Sequence, residues 1–350
     1  MELVSRRALV RLAVLVSLLA AAGVVVWLLM LRMPGASHHG ALAPLTDPEV
    51  ALRDELRRHV AVLAGEIGER HLLVPAKLAR AVEYLEATFA SAGYHVRRHT
   101  YEIEHQALPA PEAVRVFHNL EVERPGAARA EEIVLVGAHY DTVLGTGGAN
   151  DNASGAAAVL ALARRFASRT LPRTLRFVLF ANEEFYFQRP QMGSLVYARA
   201  LRRRGDRVVV MLSLETIGYY SDREGSQLYP PPLGLVFPSV GNFVGFVGNL
   251  GSRAEVRSAI AAFRRHARFP SEGAAMPPIL PGIAWSDHWA FWQAGYPALM
   301  VTDTAPYRYQ WYHHPGDTPD KLDYERMARV VAGLGSMLAE LAGLPGAGAQ

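Results

Sequence analysis

Four short apolar runs, with acidic or histidine residues beyond their ends, constrain the fold of this chain more than any other feature. They are "EIVLVGA" (132–138), "LRFVLFA" (175–181), "VVVMLSL" (208–214) and "PALMV" (297–301). Runs of this length and composition are typical of strands that are covered on both faces. Between the first two, the alanine-rich "SGAAAVLALARRFAS" predicts a helix that Asn152 or Ser154 can cap. The order strand, helix, strand predicts an α/β domain with a largely parallel sheet.

The residues before this region extend the same pattern. Apolar side chains recur at helical spacing over 50–67 and 75–92, and two extended segments are predicted at 95–104 and 114–122. We therefore expect one folded α/β domain over 49–345.

The first 31 residues predict a membrane anchor. Arg6, Arg7 and Arg11 precede the uncharged run 12–31, which would span about 30 Å as a helix, the thickness of a bilayer core. A cleavable signal peptide usually has a shorter apolar region of about 7–15 residues, so a retained single-pass anchor is favoured. The positive charge before the span favours a cytoplasmic N-terminus (1–11) and a periplasmic or extracellular domain. Residues 32–48 are then a linker.

The composition excludes several kinds of site. The chain has 36 Lys and Arg against 33 Asp and Glu, but the arginines are dispersed, so nucleic-acid binding is not predicted. The absence of cysteine excludes a disulfide framework, a thiolate nucleophile and cysteine-bound zinc. Any metal must be held by His, Asp and Glu.

Acidic and histidine residues follow four successive predicted strands, and ligands of open α/β sheets bind beyond the carboxyl ends of the strands. The side chains expected at that edge are His139, Asp141, Asp151, Glu183, Glu184, Glu215, His313 and His314. The carboxylates would repel one another, and no Lys or Arg stands at the same strand ends to compensate them. His, Asp and Glu ligands suit zinc, and a carboxylate that bridges two ions is typical of two-metal hydrolases.

The motifs "GAHYDTV", "GANDNASG", "ANEE", "IGYY", "SDHWAFWQAGYPALMVTDT" and "YHHPGDTPDKLDYERM" together resemble the co-catalytic zinc aminopeptidase family. This family includes bacterial leucyl aminopeptidases, glutamate carboxypeptidase-type enzymes and glutaminyl cyclases. The similarity covers roughly residues 65–345 in the same order. It implies a three-layer α/β sandwich with a mostly parallel mixed central sheet, two zinc ions per chain, and a cis peptide bond between Asp151 and Asn152.

The resemblance assigns a role to each matching residue. His139 would be a terminal zinc ligand, Asp151 the bridging ligand, and Glu184 and His313 further ligands. Glu183 would be the general base. His314 would be a neighbour of the site and not a ligand.

One position departs from the family pattern. The remaining zinc ligand is commonly the aspartate of "D-x-x-G", and here "LETIGY" supplies Glu215. Glutamate carries the same charge on an arm that is one methylene longer. Coordination by Glu215 therefore requires the backbone to stand further from the metal.

The resemblance implies metal-assisted hydrolysis of the N-terminal bond of a peptide substrate. Glu183 would take a proton from the attacking water and return it to the leaving amine. Asp141 would hold the second ring nitrogen of His139. Tyr312 either donates a hydrogen bond to the tetrahedral oxyanion or is only a packing residue.

Two further segments lie beside these motifs. Residues 221–281, rich in Pro and Gly, are predicted to be an insertion near the site that shapes specificity or forms a rigid surface loop. Asp287 and His288 either support the metal site, line the substrate pocket, or form a capped helix start with a buried histidine.

Two other functions stay open on the sequence. The same scaffold supports glutaminyl-peptide cyclisation with one working zinc, although candidate ligands for two zinc ions favour hydrolysis. A non-catalytic peptide-binding ectodomain would have no use for an unliganded Glu183 carboxylate. The residue specificity and the oligomeric state are not encoded in these motifs.

Overall fold

A single mixed sheet forms the centre of the domain. The computed structural model describes residues 6–110 and 112–345, so residues 1–5 of the predicted cytoplasmic N-terminus lie outside the described residues. Within that range the sheet has eight strands in the order β1-β2-β4-β3-β5-β8-β6-β7. The strands are β1 Arg97–Glu102, β2 Val116–Arg124, β3 Arg129–His139, β4 Arg173–Phe180, β5 Arg207–Glu215, β6 Val244–Gly248, β7 Ser271–Ala275 and β8 Ala298–Thr302.

Helices cover both faces of this sheet. They are α2 Asp47–Val60, α3 Pro75–Ser91, α4 Gly155–Phe166, α5 Gly193–Arg204, α6 Arg253–His266, α7 His288–Gln293 and α8 Tyr324–Leu341, whereas α1 Arg6–Val26 lies outside these layers. Helices α2, α3, α4, α6 and α8 contact one another, and α5 contacts α7. The central strands between these two groups are buried along most of their length. The predicted three-layer α/β sandwich is confirmed.

The four apolar runs form the central strands β4, β3, β5 and β8, which are parallel to one another. Antiparallel pairing occurs between β1 and β2, β2 and β4, and β6 and β8, whereas β6 and β7 are parallel. The carboxyl ends of the four central strands therefore share one edge of the sheet.

The segment 221–281 is not a surface loop throughout. Residues 244–275 form β6, α6 and β7, which complete one side of the sheet, and only the flanking parts are loops. Both strands have five residues and include glycine, "VGFVG" and "SEGAA", so their sequence signal is weak.

A close helix–strand contact draws the β3–α4 loop towards β5. Gly155 begins α4, and a Cβ atom on it would lie 2.3 Å from the carbonyl oxygen of Leu214. Only glycine allows this approach, because real Cβ atoms do not come so near. The contact places the loop that carries Asp151 beside the carboxyl end of β5.

The N-terminal helix stands apart from the domain. Helix α1 continues through a π-helical turn, Trp27–Leu31, so that Arg6–Leu31 is long and apolar enough to cross a membrane. None of the residues of α1 is buried against the domain.

Candidate active site

The carboxyl ends of the parallel strands bring the predicted ligands together. His139 is the last residue of β3 and Glu215 the last residue of β5, while Asp151 lies in the β3–α4 loop. His139 Nε2 lies 3.2 Å from Asp151 Oδ1 and 3.3 Å from Glu215 Oε2. Two ligands of one tetrahedral zinc ion, each about 2.0–2.2 Å from it, lie about 3.4 Å apart. These three side chains have the spacing of a common metal ion.

A second group of donors shares Asp151 with the first. His313 Nε2 lies 3.0 Å from Asp151 Oδ2 and 3.5 Å from Glu184 Oε2. Asp151 therefore directs one carboxylate oxygen towards each group. A carboxylate in this position matches the bridging ligand of a two-metal site. Glu183 joins a third group of close donors, with His139 and Glu184.

The buried polar atoms of this cluster lack protein partners. Among the described residues, Asp151 Oδ1, Glu184 Oε1 and His139 Nδ1 are buried and form no hydrogen bond. Burial raises the pKa of the Glu183 carboxyl well above its usual range; His139 opposes this shift and Glu215 adds to it. Burial likewise raises the pKa of Glu184. Acids held so close need cationic partners, and nitrogen and oxygen donors without sulfur fit zinc.

Asp141 fixes the two glutamates rather than the histidine. Its Oδ1 and Oδ2 accept hydrogen bonds from the backbone N–H groups of Glu183 (3.0 Å) and Glu184 (3.1 Å). Asp141 Oδ1 lies 3.6 Å from His139 Nδ1, which is longer than a hydrogen bond. The expected bond to His139 is therefore replaced by one that orients the Glu183–Glu184 turn.

Ser286 and Asn152 hold the longer arm of Glu215. Glu215 Oε2 accepts hydrogen bonds from Ser286 Oγ at 2.7 Å and from Asn152 Nδ2 at 3.3 Å. The peptide bond between Asp151 and Asn152 is cis, as the resemblance implies. Ser286 was missed in the sequence because a lone serine carries no spacing signal.

Asp317 supports the backbone of the bridging residue. Its carboxylate accepts hydrogen bonds from the backbone N–H groups of Asn150 (2.8 Å) and Asp151 (3.1 Å) and from the hydroxyl of Tyr309 (2.9 Å). Burial raises the pKa of Asp317 to about 6, and the two amide donors oppose the rise. Asp317 follows His313 by four residues in "HHPGD", so the motif contained it without revealing this role.

Arg70 lies beneath the site and was not predicted. It is fully buried. Its guanidinium donates only to backbone carbonyl groups, those of Leu63, Gly68, Tyr140, Gly147 and Gly148. Burial lowers the pKa of Arg70 to about 10, and nearby acids, Asp141 first, oppose this shift. Arg70 therefore remains a buried cation. It links the β3–α4 loop to the helical turn Ala61–Ile67, which follows α2 and contains Leu63.

Tyr312 lies over the second donor group. Its ring stacks on His313 with a centroid distance of 3.9 Å, and its hydroxyl has no hydrogen-bond partner among the described residues. Burial raises the pKa of Tyr312, and Asp151 and Glu184 add to the rise. His314 Nδ1 instead accepts a hydrogen bond from the backbone N–H of Gly316 and lies outside the donor groups.

Asp287 and His288 begin α7 below the site. Asp287 is fully buried, does not cap the helix, and leaves both carboxylate oxygens unpartnered in the described chain. Burial raises the pKa of Asp287 to about 7, and His139 opposes the rise. His288 is buried, with Nε2 2.8 Å from the carbonyl oxygen of Ile283. The predicted capped helix start is therefore wrong in one respect, because the Asp287 side chain makes no capping hydrogen bond.

The sequence and the fold were compared with those of known proteins. The pattern of Peptidase family M28 matches residues 119–337. The chain is 35% identical over 303 residues to Uncharacterized protein YfbL of Escherichia coli (strain K12), which covers 84% of this chain and 90% of that protein. The solved structure of BSAP, a zinc aminopeptidase from Bacillus subtilis, is 16% identical, with a TM-score of 0.65 over 83% of this chain and 95% of that chain. Fimbriiglobus ruber glutaminyl cyclase is 21% identical, with a TM-score of 0.61 over 86% and 97%.

Replacement of Asp317 by Asn should weaken zinc binding about 10- to 100-fold, because the amide leaves one acceptor oxygen for three donors and turns an NH₂ group towards a backbone N–H. A competition titration of the purified chain with a zinc-chelating dye measures the change. Asp320→Asn is the matched control, since Asp320 is exposed and pairs with Lys321. Equal zinc affinity of folded Asp317→Asn and the unaltered chain would contradict this role.

Proposed function

The chain belongs to peptidase family M28 and is a zinc metallopeptidase, and from this premise we propose that it is an exopeptidase that cleaves the N-terminal bond of peptides with two zinc ions. The observation that carries the proposal is that the donors form two groups that share Asp151. A further carboxylate, Glu183, stands beside both groups and is needed by neither.

The two groups define which residues would hold each ion. His139, Asp151 and Glu215 would hold one zinc, and Asp151, Glu184 and His313 the other. Zinc at these positions supplies a Lewis acid that polarises the scissile carbonyl and lowers the pKa of water. Three ligand carboxylates against two dications leave one net positive charge. A site with one net positive charge attracts the electron-rich oxygen of a carbonyl group more strongly than it attracts a further cation.

Glu183 is proposed to move the proton. Its side chain is buried beside His139 and Glu184, and Asp141 fixes its backbone N–H. In this position it takes a proton from the attacking water and transfers it to the nitrogen of the leaving amine. Its burial limits exchange of that proton with bulk water.

Tyr312 is proposed to stabilise the oxyanion. Its hydroxyl has no partner among the described residues, and its ring is held by stacking on His313. A free donor close to the ligand carboxylates can bind the oxygen that becomes negative in the transition state. This interaction is absent when no substrate is present, so the hydroxyl stays available.

The location proposed for this activity is the outer face of a membrane. The helix Arg6–Leu31 is long and apolar enough to span a bilayer. Three arginines, Arg6, Arg7 and Arg11, lie at its start, and Arg32 alone follows its end directly. This charge asymmetry favours a cytoplasmic N-terminus and an external domain.

Replacement of Glu183 by Gln should lower kcat about 10²- to 10⁴-fold on aminoacyl amides while two zinc ions remain bound, because the general base is lost and no ligand is changed. Metal analysis and a panel of amides, assayed with the zinc-loaded full chain, measure both quantities. Glu131→Gln, on the exposed start of β3, is the control. Undiminished hydrolysis by Glu183→Gln would exclude the proposed base, and pyroglutamate formation without amine release would identify a cyclase instead.

Replacement of Tyr312 by Phe should lower kcat about 100-fold with little change in KM, because the hydroxyl acts mainly in the transition state. Steady-state kinetics on the best amide separate the two constants. Tyr94→Phe is the control, since that hydroxyl donates to the carbonyl of Ala163 in the helical layer. An unchanged kcat would leave Tyr312 as a packing residue.

A further inference from the structure

An apolar cavity extends from the metal-ligand residues towards the edge strand β7. It contains about 800 Å³ of space, part of it open to solvent. Its floor is the sheet itself. Across β5, β8, β6 and β7, one row of directly opposed residues consists of Glu215, Thr302, Gly245 and Glu272. The adjacent row on the same face consists of Met300, Val247 and Ala274.

The strand register sets the distance between Glu215 and Glu272, the two acidic residues of the cavity floor. Directly opposed residues of neighbouring strands point to the same face, and neighbouring strands lie about 4.8 Å apart. Glu215 and Glu272 are therefore separated by three strand spacings, about 14 Å, at opposite ends of the cavity. Gly245, between them, has no side chain and leaves the floor open.

Glu272 carries an unpaired charge inside apolar walls. Among the described residues, its carboxylate accepts no hydrogen bond and has no cation within 4.0 Å. Two neighbouring groups are engaged elsewhere: Tyr229 donates its hydroxyl to the carbonyl of Pro238, and Arg264 donates to Ser271 and to linker carbonyl groups. Burial raises the pKa of Glu272, and Arg264 and His39, neither of which forms an ion pair with it, oppose the rise.

We propose that Glu272 selects substrates whose N-terminal residue is lysine or arginine, by binding the side-chain cation at the far end of the cavity. The inference rests on the proposed aminopeptidase function. An extended lysine side chain reaches about 6 Å from its Cα, and a charged hydrogen bond adds about 2.8 Å. Together these lengths give about 9 Å, so a substrate whose Cα lies one strand spacing from Glu215, above β8, reaches Glu272 at the far end of the floor. The apolar walls suit the aliphatic stem.

The test compares lysyl and norleucyl p-nitroanilides, whose side chains differ by the ammonium group, on the zinc-loaded full chain. We expect a higher kcat/KM for the lysyl substrate and a fall of about 10- to 100-fold in the lysyl-to-norleucyl ratio in Glu272→Gln, mostly through KM. Glu224→Gln, which changes an exposed acid in the segment between β5 and β6, should keep the ratio. An unaltered ratio in Glu272→Gln, or a norleucyl preference of the unaltered chain, would overturn the inference.

A binding measurement separates failure of this inference from failure of the proposed function. Lysinamide and norleucinamide are titrated calorimetrically into the Glu183→Gln chain and into the double variant that also carries Glu272→Gln. Tighter binding of lysinamide that depends on Glu272 supports the inference even if no amide is hydrolysed. Equal binding of both amides overturns it even if hydrolysis occurs.

A separate observation concerns the outer surface around the cavity. Leu228, Leu235, Val236, Ile279 and Trp285 form what we call the mouth surface, and all are exposed. Leu235 and Ile279 are each 88% exposed. They lie on the two loops that also supply cavity walls, including Leu233, Phe237 and Ile283. Large exposed apolar side chains grouped in this way are typical of a surface that contacts protein or membrane.

The end of the N-terminal helix is fixed beside this surface. Leu31 packs against a small apolar cluster that contains Met276, Ile283 and Leu233. Arginines of α6 bind the backbone carbonyl groups of the same region: Arg253 those of Leu28 and Leu29, Arg257 that of Arg32, and Arg264 those of Pro34 and Gly35. The end of the N-terminal helix therefore contacts the cavity walls directly, with no flexible segment between them.

We infer that the mouth surface is immersed in the lipid leaflet from which the anchor emerges. The apolar part of the anchor ends at Leu31, so the bilayer boundary lies at the level of the cluster that Leu31 contacts. Side chains such as Leu235 and Ile279 then exchange water for acyl chains, which removes the cost of their exposure.

The absence of cysteine makes this inference directly testable. Leu235→Cys and Ile279→Cys are labelled with an environment-sensitive fluorophore in the full chain in vesicles that contain doxyl lipid. Val116→Cys is the matched control, because Val116 is also exposed and apolar but lies on β2, about 29 Å across the sheet from β7. We expect quenching at positions 235 and 279 and none at 116. Absence of quenching at 235 and 279, equal quenching at 116, or failure of the chain to float with the vesicles would overturn the inference.

Discussion

The concentration of buried carboxylates at one edge of a parallel sheet is the constraint on which the rest of this structure depends. Asp151, Glu184 and Glu215 lie within a few ångströms of two histidines, and no arginine or lysine side chain of the described chain contacts them. In a buried site such an arrangement is unfavourable unless cations compensate it. The two donor groups around Asp151 provide places for those cations. The proposed chemistry follows from this electrostatic need, because cations that would stabilise the acids would also polarise a carbonyl.

The residues around the donors hold the ligand-bearing loops in place. They do so without pairing an arginine or lysine side chain with the candidate metal ligands. Asp317 and Asp141 accept hydrogen bonds from backbone N–H groups of the loops that carry Asp151 and the two glutamates. Arg70 does the reverse and donates to backbone carbonyl groups. The loops are thus held through their main chain, and the ligand side chains keep their free oxygens and nitrogens for metal. Fixed supporting groups of this kind are what limit ligand movement in metal sites.

The half of the sheet formed by β8, β6 and β7 forms most of the cavity floor. Its residues Thr302, Gly245 and Glu272 continue a row that begins at Glu215 of β5, a candidate metal ligand. The exposed apolar side chains around the cavity adjoin the end of the apolar helix Arg6–Leu31. The proposed catalytic site, the proposed side-chain selection and the proposed membrane contact therefore lie along one surface. These residues share one face because strands are pleated, so that every second side chain along each strand points to the same side of the sheet.

The sequence by itself determined the α/β class, the central strands, the apolar N-terminal helix, and the residues of the donor groups, because these features depend on local periodicity or on short motifs at strand ends. It did not reveal β6 and β7, whose short glycine-containing segments become strands only by pairing with β8 and each other. Nor did it reveal Arg70, Ser286 or the role of Asp317, since each acts on residues far away along the chain. Only the tertiary structure decided that Asp141 orients the glutamates and that Glu272 shares a row with Glu215, because strand register and loop contacts are set by packing across the whole sheet.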